Sequence, residues 1–188
     1  MLTLVLSCAL VMSPHAAKVK IRTDFDEAFN FAGLRTWVWH PDGAGEVKMA
    51  LTPDDNPEDV RARVEPMIMK AVAQELAGRG LTLAPAGSAD LEVIYYLLIS
   101  TNMSSQQMGQ FLPSTAQWGL PPFAPQTTSL KVIEQGSQVL DLIAPTLKAT
   151  VWRSVAQAEI NRQRTDAERA VRIQSVVRDM LKNFPPKK

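Results

Sequence analysis

A chain of 188 residues with 46% hydrophobic and 21% charged residues is long enough for one domain with a real core and too apolar to be disordered. A formal net charge of +1 argues against a protein built mainly to hold nucleic acid. With Cys8 as the only cysteine, no intrachain disulfide can form.

The chain opens on an apolar run, Leu2 to Met12, followed by Ser13-Pro14-His15-Ala16-Ala17. The run is shorter than the about 20 residues a membrane span needs. It matches the core of a secretory signal, about 7–15 apolar residues ending in small ones. Residues 1–17 are therefore expected to be a signal-like segment, with the missing basic flank upstream of Met1, and residues 18–188 one domain. Cleavage near Ala16 or Ala17 would free a soluble form starting close to Lys18. Val5-Leu6-Ser7-Cys8 is also a loose lipobox, which makes Cys8 the lipid-anchor candidate. The apolar run continuing past Cys8 favours the soluble form. The third reading is a buried N-terminal strand without export. The expected location is the periplasm, or the membrane surface if Cys8 is lipidated, with no transmembrane span.

From Lys18 to Phe25 the residues Val19, Ile21, Thr23 and Phe25 alternate with Lys18, Lys20, Arg22 and Asp24, the period of a strand with one wet face. Asp24 to Phe31 reads as a bend whose aromatics plug the core. Leu34 to Trp39 is a second strand, stopped by His40-Pro41. Asp42 to Pro57, rich in Gly, Asp and Pro, reads as a loop. Asn56 then caps a helix that has Pro57 at its first position and Glu58 and Asp59 at the positive end of its dipole. Val60, Val64, Met67, Ile68, Ala71 and Leu76 form its apolar side, and Gly78-Arg79-Gly80 ends it. Pro66 is expected to kink this helix or split off its first turns.

Leu81 to Ala84 is a short strand. Ala89 to Ser100 is a long one, apolar on both faces from Val93 to Ile99, so it is expected at the centre of the sheet. Thr101 to Thr127 reads as a long mobile loop and Thr128 to Glu134 as a returning strand. In Gly136 to Ala144, Val139, Asp141 and Ile143 alternate with Leu140 and Leu142, and Pro145 ends the strand. Leu147 to Ala158 pairs back as a hairpin around Trp152. Thr165-Asp166-Ala167-Glu168 is a capping box opening an amphipathic helix. Its stripe is Ala170, Ile173, Val177, Met180, Leu181 and Phe184, and Pro185-Pro186 ends it. The expected fold class is α+β: a mixed, mainly antiparallel sheet with two amphipathic helices on one face, in the order β-β-α-β-β-loop-β-β-β-α.

Candidate chemistry is sparse. The histidines are His15 and His40, too few for a triad or a zinc set, and His40 reads as a strand-end surface residue. Asp54-Asp55-Asn56 lacks the spaced acids of a calcium loop and is better explained as a helix cap. Met103 and Met108 read as loop filler rather than copper ligands. Gly43-Ala44-Gly45 lacks the rest of a phosphate loop. Asp24, Asp26 and Glu27 are the one set of acids that could serve a hydrolase, against the commoner reading of a turn lip. Basic residues gather late: Arg162, Arg164, Arg169, Arg172, Arg178, Lys182, Lys187 and Lys188 outweigh Asp166, Glu168 and Asp179. Such a run is usually a solvated helix face; the sharper reading is contact with anionic lipid or an acidic partner.

Four stretches together carry a resemblance. Asp24 to Trp39 resembles the opening "D-x-D … D-F … Y-x-T-(Y/F)-x-W" segment of the bacterial family called domain of unknown function 4136. Ala89-Asp90-Leu91-Glu92-Val93-Ile94-Tyr95 is similar to its "A-D-L-x-V-x-Y" strand. Leu140-Asp141-Leu142 with Val151-Trp152-Arg153 resembles its "(I/L)-D-L … (L/V)-W-R-G-x-A" hairpin. Val176 to Lys187 resembles its last helix and "F-P-P" ending. Ser154 stands where that family often has Gly, and Pro66 interrupts a helix usually left whole. The resemblance implies an α+β sandwich, export, no cofactor and no established reaction. Trp39, Asp90, Trp152, Arg153 and Phe184 are its signature positions and are expected to be structural.

The function expected from all this is a non-catalytic binding or structural module of the cell envelope, its partner a protein or lipid met through the sheet edge or the 101–127 loop. One alternative is a carrier of a small hydrophobic ligand or lipid between helices and sheet. The other is a hydrolase using the acids of Asp24 to Glu27.

Overall fold

The structure, a computed structural model, describes residues 19–50, 56–85, 87–100, 136–158 and 160–186. Cys8, Asp54, Asp55, Met103, Met108, the 101–127 segment and the strand expected at 128–134 lie outside them. Seven strands form one open sheet: β1 (Lys20–Phe25), β2 (Thr36–Trp39), β3 (Gly45–Ala50), β4 (Thr82–Leu83), β5 (Leu91–Ser100), β6 (Gly136–Ala144) and β7 (Ala149–Gln157). The helices are α1 (Pro57–Ala77) and α2 (Asp166–Met180). This is the mixed, mainly antiparallel α+β architecture the sequence predicts.

The order across the sheet is β1-β7-β6-β5-β2-β4, with β3 also beside β5. β1, β7, β6 and β5 run antiparallel, each to the next in that order. β2 and β3 both run parallel to β5, β2 along Leu91–Val93 and β3 along Tyr95–Ser100. They behave as one strand laid along β5 and interrupted by the turn from His40 to Ala44, with β4 paired beyond β2. The backbone stitches across the interruption, His40 N–H donating to Val93 O at 2.9 Å and Tyr95 N–H to Ala44 O at 3.0 Å.

β3 is a correction to the loop expected from Asp42 to Pro57. Its residues Gly45, Glu46, Lys48 and Ala50 are poor strand formers. What makes them a strand is the open edge of β5, whose amides and carbonyls need partners. A second correction concerns Pro66, which does not split α1: the helix runs unbroken from Pro57 to Ala77. Proline removes one ladder bond, and the buried stripe Val64, Ile68, Ala71, Val72 and Leu76 holds the turns on either side to the sheet.

The helix ends form as the sequence predicts. Asn56 Oδ1 accepts from Glu58 N–H at 3.0 Å. The capping box at α2 closes both ways, Glu168 N–H donating to Thr165 Oγ1 and Thr165 N–H to Glu168 Oε2. Both helices lie on one face of the sheet, in one buried cluster with Trp37, Leu91, Val93, Tyr95, Leu140, Leu142 and Trp152. Arg79 clips the helices together, its Nε donating to Leu181 O at 3.0 Å while its Nη1 meets Glu75 Oε2 at 2.7 Å. On the other face a second cluster gathers Ile94, Tyr96, Leu98, Val139, Ile143 and Val155.

Candidate functional site: a cleft between the helices and the sheet

Trp152 is fully buried, stacked on Phe25 at 5.7 Å between centroids and met edge-on by Phe184 at 5.2 Å. Phe31 completes the group, edge-on to both Phe25 and Phe184. These rings come from β1, the following bend, β7 and the residues after α2. The arrangement packs that end of the core with rings in mutual contact. Trp39 is half-buried at the core margin, edge-on to the buried Trp37 at 5.1 Å.

Asp90 is exposed and acts as a clasp. Its Oδ2 accepts from Arg35 N–H at 2.8 Å, Thr36 N–H at 2.9 Å and Thr36 Oγ1 at 2.9 Å. These bonds to the charged form, led by that from Arg35 N–H, hold its carboxyl below the usual carboxylate range. The motif aspartate thus fixes the register of β2 on β5.

Arg153 faces Asp141 across β6 and β7, both side chains out of water. Arg153 Nε donates to Asp141 Oδ1 at 2.6 Å, and its Nη2 reaches Oδ2. Burial pushes the Asp141 carboxyl up; Arg153 and Thr150 pull against it. Ser154, where the resembling family often has glycine, is fully buried with its Oγ 3.1 Å from Thr23 Oγ1, so the hydroxyl is used as a cross-strand bond.

Two of the three acids at the first bend, Asp24 and Asp26, bond to backbone. Asp24 Oδ1 accepts from Phe25 N–H and Asp26 Oδ1 from Ala28 N–H. That is the turn-lip role. His40 sits at a strand end as expected, Nε2 3.9 Å from Glu92 and Nδ1 3.8 Å from Asp42. Among the described residues no three His, Cys, Asp or Glu side chains gather as a metal site would require. No described helix is long and apolar enough to cross a membrane.

At the end of the core away from the aromatic cluster, α1 and α2 part from the sheet and leave a cleft of about 270 Å³. Its apolar walls include Val64 and Ile68 from α1, Leu97 and Ile99 from β5, and Ile173 and Val176 from α2. Its charged lining is one-sided: Arg63, Arg162, Arg164, Arg169 and Arg172, with no Asp or Glu among the described residues that line it. The late basic run is thus divided by the fold. Four of its arginines meet at the cleft, joined by Arg63, which the sequence reading did not single out. Arg178 and Lys182 do not line it.

Outside the residues that line the cleft, a part-buried polar link ties α1 to β5. Tyr95 Oη donates to Glu65 Oε2 at 2.8 Å, and Arg61 Nε donates to the same oxygen at 3.2 Å. Burial and the nearby carboxylate push the Tyr95 phenol well above its usual range, so it stays a donor. Neither this link nor the cleft was legible as such. The available signal for the link was an acid and an arginine four apart on α1 with a tyrosine on the covered face of β5.

Solved structures with a similar fold fall far below the identity at which function transfers. A DUF4136 family protein from Bacteroides thetaiotaomicron is 16% identical with a TM-score of 0.55, covering 89% of this chain and 96% of that one. A PDZ domain protein from Parabacteroides distasonis is 12% identical with a TM-score of 0.48, covering 92% of this chain but 37% of its own. The PelC dodecamer from Paraburkholderia phytofirmans is 11% identical with a TM-score of 0.43, covering 91% of this chain and all of that one. A search of curated protein sequences finds no match. The family model for the domain of unknown function DUF4136 matches residues 21–186, which takes in both described helices and every described strand but for the first residue of β1, and the chain belongs to that family.

Proposed function

We propose that this domain is a non-catalytic binding module of the bacterial cell envelope that holds an apolar ligand between its helix pair and its sheet. The observation that carries the reading is the cleft: an apolar-walled space of about 270 Å³ at the end of an otherwise close-packed core. Protein interiors seldom leave such gaps unfilled, because each lining atom forgoes contacts. Envelope location is supported by the signal-like run from Leu2 to Met12. An acyl chain entering the cleft would gain about 0.8 kcal/mol per buried methylene.

Native mass spectrometry of protein purified from bacterial membranes should find a noncovalent adduct. The uncharged probe N-phenyl-1-naphthylamine should bind the delipidated protein with enhanced fluorescence. Val60→Trp, which fills the cleft from α1, should lower that binding by roughly tenfold or more while leaving the melting temperature within a few degrees. Clean apo mass in every preparation, together with probe binding indifferent to Val60→Trp, would overturn the reading.

A further inference from the structure

Five arginines from three parts of the chain converge on one cleft: Arg63 on α1, Arg162 and Arg164 before α2, and Arg169 and Arg172 on its first two turns. The chain as a whole carries 20 basic and 19 acidic residues, so mixing would place carboxylates among them. Among the described residues lining the cleft there are none. Among the described residues, no carboxylate lies within ion-pair distance of Arg63 or Arg164. Arg169 is oriented, its Nη2 donating to Arg164 O at 3.1 Å and its Nε 3.7 Å from Asp166.

The placement also runs against helix electrostatics. The first turns of α2 are the positive end of its dipole, where cations are disfavoured and anions favoured. Asp166 and Glu168 in the first turn offset part of this, but the five guanidinium groups at the cleft outnumber them. A bound anion removes that cost and can meet the planar forks in pairs. Below the arginines the walls are aliphatic: Ile68, Leu97, Ile99, Ile173 and Val176. The volume, about 270 Å³, falls just below the roughly 300–1,000 Å³ of ligand pockets, which suits one acyl chain rather than two.

We propose that the cleft selects a single-chain anionic amphiphile, its carboxylate or phosphate head among the arginines of α1 and α2 and its chain along the aliphatic walls. This rests on the cleft reading above and adds a required charge.

The test uses the mature protein, delipidated and preloaded with N-phenyl-1-naphthylamine. Dodecanoate and dodecanol, equal in chain length, are compared as competitors. Dodecanoate should displace the probe at a roughly tenfold lower concentration than dodecanol, with the advantage shrinking at high salt. The variant R63Q/R164Q, which removes two arginines that have no carboxylate within ion-pair distance among the described residues, should bring dodecanoate down to the level of dodecanol. Its own affinity for dodecanol and its circular-dichroism melt should stay unchanged. Equal competition by the two ligands in the unmodified protein would overturn the charge requirement while leaving the cleft reading in place. An unaltered preference in R63Q/R164Q would overturn the assignment of these arginines. Displacement by inorganic phosphate alone would overturn the need for a chain. Failure of every ligand, with probe binding indifferent to Val60→Trp, would instead remove the cleft reading and this inference with it.

Discussion

Asp141 and Arg153 hold each other across the centre of the sheet, and neither touches water. Removing Asp141 takes the paired carboxylate away from a buried guanidinium. Asp141→Ala is expected to cost about 3–5 kcal/mol in urea denaturation, whereas Asp141→Leu with Arg153→Met should cost less than either single change. Additive losses in the double variant would show that the pair's worth is not its mutual neutralisation. Trp152→Ala removes the ring on which Phe25, Phe31 and Phe184 close and should cost about 3–5 kcal/mol by the same measurement.

Asp90 sets a pH dependence whose sign follows from its bonds. Its folded carboxyl lies below the usual range, so its contribution is full above the unfolded value of about 3.9 and fades as pH falls through the lowered folded value. Asp90→Ala should cost about 1–2 kcal/mol at neutral pH, a figure discounted because the group is exposed. The gap between the two proteins should close below about pH 4. A gap that persists unchanged in acid would mean that the charged form is not what matters.

At the level of elements, β3 depends on close approach. A Cβ at Gly45 would lie 2.2 Å from Tyr95 Cδ1, and that ring cannot swing away because its hydroxyl is bonded to Glu65. Gly45→Ala is therefore expected to cost about 1–3 kcal/mol. At Gly136 the nearest atoms belong to the exposed side chain of Ile160, which can rotate, so Gly136→Ala should cost less. Equal losses at the two sites would argue that backbone freedom, not the tyrosine ring, decides. The helices illustrate the opposite case. Their starts are fixed by residues three apart or fewer, so the cap at Asn56 and the box at Thr165 were legible before any packing was known.

For the whole molecule, the first strand and the last helix meet at one aromatic cluster, so the core closes only when chain ends more than a hundred residues apart come together. Phe25, Trp152 and Phe184 are that junction. The arginine cleft lies at the other end, where α1 and α2 part from the sheet. On the envelope reading, intact-mass analysis of protein recovered from bacteria should give a mature start close to Lys18 in the soluble periplasmic fraction. An acylated Cys8 in the membrane fraction would place the cleft beside a bilayer instead and rule out the free form.

By itself the sequence determined the elements whose cause is local. Alternation wrote β1 and β6, an apolar run on both faces wrote β5, and strand-forming residues around Trp152 wrote β7; capping residues and a 3.6-residue stripe wrote α1 and α2; and four motif stretches pointed to the family. Periodicity reports which side of an element is dry but not which element dries it. Only the tertiary structure decided that Asp141 and Arg153 share a register, that weak strand formers at Gly45–Ala50 are held by the edge of β5, and that α1 survives Pro66. It alone brought Arg63 to four arginines a hundred residues later along the chain. Charge in a helix pattern marks a wet face; which of those charges converge depends on how two helices cross a sheet, and that is settled by long-range packing.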